Sequence, residues 1–178
     1  MHSQIKMNGE IVLLPVGEVD RGILAHLGAA LTEAFGCRCR VGDALPAPEY
    51  AYNPRRAQYS AEMILTRLVV AKAGRVLGVT DCDLYVPELN FVFGLASRAR
   101  TRALIALPRL RQSFYGRRDD HALFLARTAK EAVHELDHTY GLGHCRDRRC
   151  VMRFSNSLDD TDDKGQEFCA TCRKKTQT

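Results

Sequence analysis

His134-Glu135-Leu136-Asp137-His138-Thr139-Tyr140-Gly141-Leu142-Gly143-His144 is the stretch on which the reading of this 178-residue chain turns. His134 and His138 are four residues apart. On a helix they lie one turn apart on one face, and both imidazoles reach a single ion at about 2.0–2.1 Å. Glu135 sits at the edge of that face, within reach of a water in a fourth coordination position. Gly141 is expected to break the helix and Gly143 to keep the next turn open to positive φ. His144 then returns as a third ligand. Three protein ligands with one open position is the pattern of a catalytic zinc rather than a structural one. With six His and nine Glu in the chain, His-Glu-x-x-His arises by chance in on the order of one chain in a hundred. Requiring Gly141 and His144 lowers that by more than two orders of magnitude. The competing reading is an exposed polar helix face with incidental histidines. The chemistry expected of the pattern is hydrolysis: zinc lowers the pKa of its water toward about 7 and polarises a carbonyl. Glu135, as general base, takes the proton from that zinc-bound water and hands it to the leaving nitrogen.

Downstream of Gly141 the chain turns polar and rich in Cys, Arg and Asp. Such a segment cannot fold on apolar burial alone. Cys145-x4-Cys150 and Cys169-x2-Cys172 form two pairs, the usual makings of a tetrahedral four-cysteine zinc, which contributes folding free energy directly. Two disulfides or free thiols are the other readings. The odd total of seven cysteines and the expected reducing compartment favour metal. Cys145 follows His144 directly, so the two sets adjoin in the chain. On the residues alone Met152 reads as a core methionine. Cys37, Cys39 and Cys82 read as buried small residues, and His26 and His121 as histidines without chemistry. No Tyr follows Tyr140, so no downstream tyrosine assists zinc in stabilising a tetrahedral intermediate.

Upstream, strand-like and helix-like segments alternate. Ile11 to Gly17 is a short apolar run, read as a buried strand. Arg21 to Phe35 carries Ile23, Leu24, Leu27, Leu31 and Phe35 at helical spacing, with Gly36 as a stop. Cys37 to Leu45 reads as a weak strand, and the proline-bearing segment from Asp43 to Arg56 as a loop. Gln58 to Ala73 reads as a helix and Arg75 to Tyr85 as a strand. Pro87 to Gly94 reads as an edge strand, its proline suiting that place, and Thr101 to Leu110 as a buried strand. Asp119 and Asp120 suit the start of the long helix that carries His134 and His138. This order indicates an α/β layer structure.

Composition bounds the rest. Apolar residues make up 46% and charged residues 26%, which excludes wholesale disorder. No apolar run approaches the ~20 residues that span a bilayer. Met1 to Asp20 lacks the parts of a secretory signal, so a cytoplasmic location and no membrane partner are expected. The net charge of +5 permits acidic partners without demanding nucleic acid. Arg98 to Arg118 holds seven Arg, read as a solvated surface rather than a nucleic-acid site, since only Phe114 and Tyr115 offer stacking partners there.

His134, Glu135, His138, Gly141 and His144 carry the metzincin signature, with Met152 placed for the Met-turn. Together with Cys145, Cys150, Cys169 and Cys172 they resemble the archaemetzincins, a family of compact zinc metalloproteases. The segments from Leu84 to Gly94 and from Val151 to Ser157 are also similar to that family. The resemblance covers most of the chain. It implies a zincin-like fold: a mixed twisted sheet with an edge strand over the cleft, a long active-site helix, and a small C-terminal subdomain holding a four-cysteine zinc. It implies ligand roles for His134, His138 and His144 and the base role for Glu135. One departure stands out: related sequences usually have Gly where Asp137 stands. Asp137 either orients a ligand imidazole, crowds a tight packing site, or is a solvated residue.

The expectation is therefore a zinc-dependent peptidase with two zinc ions per chain. Its catalytic part is 1–142, and 143–178 forms a second subdomain with the third histidine, the Met-turn and the cysteines. A peptide or protein substrate would bind along Asn90, Phe91, Val92, Phe93 and Gly94 by strand addition. The chain is expected to be a monomer. The alternatives are a non-catalytic zinc protein that binds peptide or nucleic acid, and a hydrolase of a non-peptide amide.

Overall fold

The computed structural model describes residues 9–70, 74–97 and 101–175. Strand β1 (Ile11–Val16) is buried along its whole length, because it lies inside a sheet covered on both faces. Alternate residues point opposite ways. Ile11 and Leu13 enter one core with Leu77, Val79, Ala103 and Ile105. Val12, Leu14 and Val16 enter the other with Val76, Leu104 and Ala106. Helix α1 (Arg21–Phe35) begins where the Asp20 carboxylate accepts from Ile23 N at 3.1 Å and ends at Gly36, φ 62°. Strand β2 follows as Cys39–Val41 only, parallel to β1.

The expected loop from Asp43 to Arg56 contains a two-residue strand, β3 (Tyr52–Asn53), antiparallel to β4 (Gln58–Ser60). The helix expected from Gln58 starts late, as α2 (Ala61–Arg67), because the Ser60 hydroxyl caps it from outside. Residues 71–73 of that expectation lie outside the described residues. Strand β5 (Arg75–Thr80) is followed by β6 (Leu84–Tyr85), which leaves the main sheet to pair with β4. Strands β7 (Gly94–Ser97) and β8 (Arg102–Ala106) complete the main sheet, in the order β2-β1-β5-β8-β7. The first four are parallel, and β7 runs antiparallel along the edge, so the sheet is mixed. Past Ala106 the chain turns at Pro108 rather than continuing as strand.

The edge strand thus lies later than the expected Pro87–Gly94. Val92 N donates to the Leu84 carbonyl at 3.0 Å and holds the preceding run against the small sheet. The chain first meets β8 at the Phe93 carbonyl, which accepts from Ala106 N at 2.8 Å.

Helix α3 (His121–Thr139) is capped by Asp120, whose carboxylate accepts from Leu123 N at 2.9 Å. It packs on the same sheet face as α1, while α2 covers the opposite face. Every residue from Lys130 to Thr139 is buried, since the C-terminal segment covers the side that the sheet does not. Gly141, at φ 89°, makes the turn that ends the helix; Gly143 is not among the positive-φ glycines, so the freedom expected of it is not used. Beyond lie α4 (Leu158–Asp163) and α5 (Ala170–Lys175). Leu142, Cys150, Val151, Met152, Leu158 and Cys172 extend the main core into this segment. Among the described residues no helix is long and apolar enough to cross a membrane.

Candidate metal centre and its cleft

The histidine set converges. His134, His138 and His144 each offer a nitrogen, and the three lie within 4.8 Å of one another. The spacing of the first two comes from α3 and that of the third from the Gly141 turn. His134 Nδ1 lies 2.9 Å from the Val151 carbonyl and His138 Nδ1 lies 2.7 Å from the Leu142 carbonyl. A carbonyl only accepts, so each neutral ring carries its proton on Nδ1 and leaves an Nε2 lone pair facing inward. The two Nε2 atoms are 3.1 Å apart. Two ligands at 2.0–2.1 Å on a tetrahedral zinc subtend about 3.3 Å, so the donors fit that ion. Burial, reinforced by the nearby Lys164 charge, holds His134 well below the ordinary imidazole range and keeps it in the neutral, ligating form. The exposed His144 packs on Phe154, ring centroids 5.0 Å apart.

Glu135 and Glu131 line the same cleft, of about 250 Å³, beside His134 and His138. Burial, with Glu131 adding and Lys164 opposing, pushes the Glu135 carboxyl up to about 8. Phe91, Val92, Phe93 and Gly94 form the facing wall, continued by Leu95 and Ala96, while Phe154, Ser155 and Asn156 close one end. Gly94 touches the Glu135 side chain so closely that a Cβ there would come within 2.5 Å of its Cγ. Asn90, placed with these residues by sequence, is not part of the wall; its carbonyl accepts from Gln58 Nε2 at 2.9 Å.

The cysteine set also converges. Cys145, Cys150, Cys169 and Cys172 bring their sulfurs within 4.8 Å of one another, and Cys37, Cys39 and Cys82 join neither set. Cys145 Sγ and Cys169 Sγ are 3.7 Å apart, far beyond a disulfide bond of about 2.05 Å. Thiolates at 2.3 Å on a tetrahedral zinc lie about 3.8 Å apart. The disulfide reading is therefore set aside: all seven cysteines are free. The Cys172 backbone N–H, 3.5 Å away, leads the effects that draw the Cys169 thiol down to about 7, toward the thiolate a metal needs. Met152 is fully buried in the main core.

Asp137 is neither solvated nor an orienting group. It is fully buried, and both carboxylate oxygens lack a hydrogen-bond partner among the described residues. Burial pushes it well above the usual carboxylate range, only partly opposed by Arg75. The imidazoles it was placed to orient are held by backbone carbonyls instead.

Sequence reasoning missed Lys164 and Glu131, a buried ion pair of 2.9 Å whose side chains are 0% and 3% exposed. Glu131 had a signal, lying four residues before Glu135 on the cleft side of α3. Lys164 had none in its polar surroundings. In the arginine-rich stretch Arg98 and Arg100 lie outside the described residues. Arg102 donates to the Thr66 carbonyl, and Arg109 and Arg111 pair with Asp83 and Asp81.

A sequence model described as Peptidase family M54 matches residues 40–178. The archaemetzincin of Methanocaldococcus jannaschii is 44% identical over 167 residues, 94% of this chain and 92% of that one. The crystal structure of an archaemetzincin from Archaeoglobus fulgidus, complexed with malonate, is similar at TM-score 0.83 and 37% identity, covering 93% of this chain and 99% of its own. That of the Methanopyrus kandleri archaemetzincin is similar at TM-score 0.83 and 36% identity, covering 99% and 95%.

Proposed function

This chain belongs to peptidase family M54, the archaemetzincins, and is a zinc metallopeptidase; on that premise we propose that it hydrolyses peptide bonds at the histidine centre, with Glu135 as general base. The observation that carries this reading is the convergence of three histidine nitrogens beside Glu135 in one cleft. His134, His138 and His144 hold the catalytic zinc; when bound, it supplies a Lewis acid for the scissile carbonyl and an attacking water of lowered pKa. Glu135 takes the water proton on its carboxylate and returns it to the leaving nitrogen. The peptide lies along the cleft edge of β7, with Phe91, Val92, Phe93 and Gly94 forming the wall beside it. Asn90 precedes that wall in the chain, its carbonyl accepting from Gln58 Nε2.

In the same reading Met152 is the Met-turn residue. Cys145, Cys150, Cys169 and Cys172 hold a second, structural zinc, giving two per chain. Residues 1–142 carry the sheet, the active-site helix and the base, and residues 143–178 carry the third histidine and the cysteines, as two parts of one core. Four thiols kept for metal suit a reducing, cytoplasmic setting. The arginines engaged by Asp83 and Asp81 do not favour nucleic acid, and a monomer is expected. The test is cleavage of a peptide library by zinc-loaded protein beside Glu135→Gln. The expected result is wild-type cleavage and a loss of roughly 100-fold or more in the variant. Equal cleavage by both would remove Glu135 from the mechanism, and none by the wild type would reject the peptidase reading.

A further inference from the structure

The two metal centres share backbone at two points. His144 and Cys145 are consecutive, and Cys145 N donates to the Met152 carbonyl at 2.8 Å. Cys150 and Val151 are also consecutive, and the Val151 carbonyl accepts from His134 Nδ1 at 2.9 Å. The group that orients one histidine ligand therefore belongs to the neighbour of a cysteine ligand. That neighbour is fixed from the other cysteine pair as well. Val151 N donates to the Glu167 carbonyl at 2.9 Å, and Cys169 N donates to Cys150 Sγ at 3.4 Å. Cys150, Val151 and Met152 are fully buried, so water does not replace the Val151 carbonyl at His134.

We propose that the two centres bind zinc cooperatively: a loaded four-cysteine centre fixes both His144 and the Val151 carbonyl, and so sets the affinity of the histidine centre. The inference rests on the two-zinc reading above. Around the cysteines the chain is mostly polar with two six-residue helices, so metal adds its restraint on the backbone from His144 to Val151 to that of the shared core and the Lys164–Glu131 pair. Without it, His144 and the acceptor for His134 lose that shared restraint together. Partners of a ligating histidine beyond the metal are worth about 10–100-fold in metal affinity. The coupling is reciprocal, since linkage between two binding free energies runs equally both ways.

The test is zinc affinity at each centre, by competition with a chromophoric chelator, in wild type, Cys169→Ser and His138→Ala, with circular dichroism to establish that each variant is folded. Cys169→Ser is expected to weaken the histidine centre by about 10–100-fold, and His138→Ala to weaken the cysteine centre by a similar factor. If Cys169→Ser does not fold, the His138→Ala arm decides alone. An unchanged histidine centre in folded Cys169→Ser, or an unchanged cysteine centre in His138→Ala, overturns the coupling. A wild type that takes up one zinc only overturns the two-zinc reading, and the coupling with it.

Discussion

Asp137 is the one residue of the signature helix whose chemistry runs against its surroundings. No contact explains a carboxyl at this place: it is fully buried, and neither oxygen has a partner among the described residues. A buried polar group left unpaired costs about 1–3 kcal/mol. Alanine keeps the Cβ already present, adds no crowding and is the best helix former. Asp137→Ala is therefore expected to raise stability by about 1–3 kcal/mol and Tm by several degrees. Zinc affinity should be unchanged, because the His134 and His138 rings proposed as ligands are held by Val151 and Leu142 carbonyls. A thermal melt and a zinc titration check both, and a lower Tm would show that the carboxyl has a stabilising partner. That His134, Glu135 and His138 come together was readable from sequence because helical periodicity alone puts residues 134, 135 and 138 on neighbouring positions of one face. The environment of Asp137 was not, since the segment that buries it comes from later in the chain.

At the level of elements, β7 and α3 meet at Gly94, where a Cβ would come within 2.5 Å of Glu135 Cγ and 2.7 Å of the Leu104 carbonyl. Only glycine allows that approach. Gly94→Ala is expected to displace Glu135 and slow peptide cleavage by about 10–100-fold, with zinc content held at the wild-type value; unimpaired cleavage would show that the role proposed for Glu135 does not need this packing. Helix α4 is latched to α3 by Arg127 on Asp162 at 2.6 Å and by the buried Lys164–Glu131 pair. Removing one partner of a buried pair costs about 3–5 kcal/mol, whereas removing both is often near neutral. Lys164→Met should thus lower Tm sharply and Lys164→Met with Glu131→Leu should restore most of it; additive losses in denaturant melts would contradict the pairing. The long amphipathic elements, α1 and α3, were foreseen to the residue or nearly so. The two- and three-residue strands β3, β4 and β6 leave no periodicity to read. The edge strand was placed early because Phe91, Val92 and Phe93 have strand-like composition but face the cleft and the small sheet.

Over the whole molecule one apolar core runs from β1 through α3 to Val151, Met152 and Cys172. The change of composition after Gly141 was visible in the sequence, but the shared core was not, because it depends on which few apolar residues of a polar segment turn inward. Metal removal is therefore expected to weaken the entire fold rather than release a loose tail. With the proposed structural zinc contributing on the order of 10 kcal/mol, chelation should shift a single thermal transition down by on the order of 10 °C or more. Two separated transitions would mean that the C-terminal segment unfolds by itself. The most direct measurement is the zinc-to-protein ratio by elemental mass spectrometry, in wild type and His138→Ala. A ratio near two falling to near one is predicted: the cysteine centre stays loaded and the histidine centre is emptied. A ratio near one in both proteins would contradict the account, because His134, His138 and His144 would then hold no metal for Glu135 to act beside.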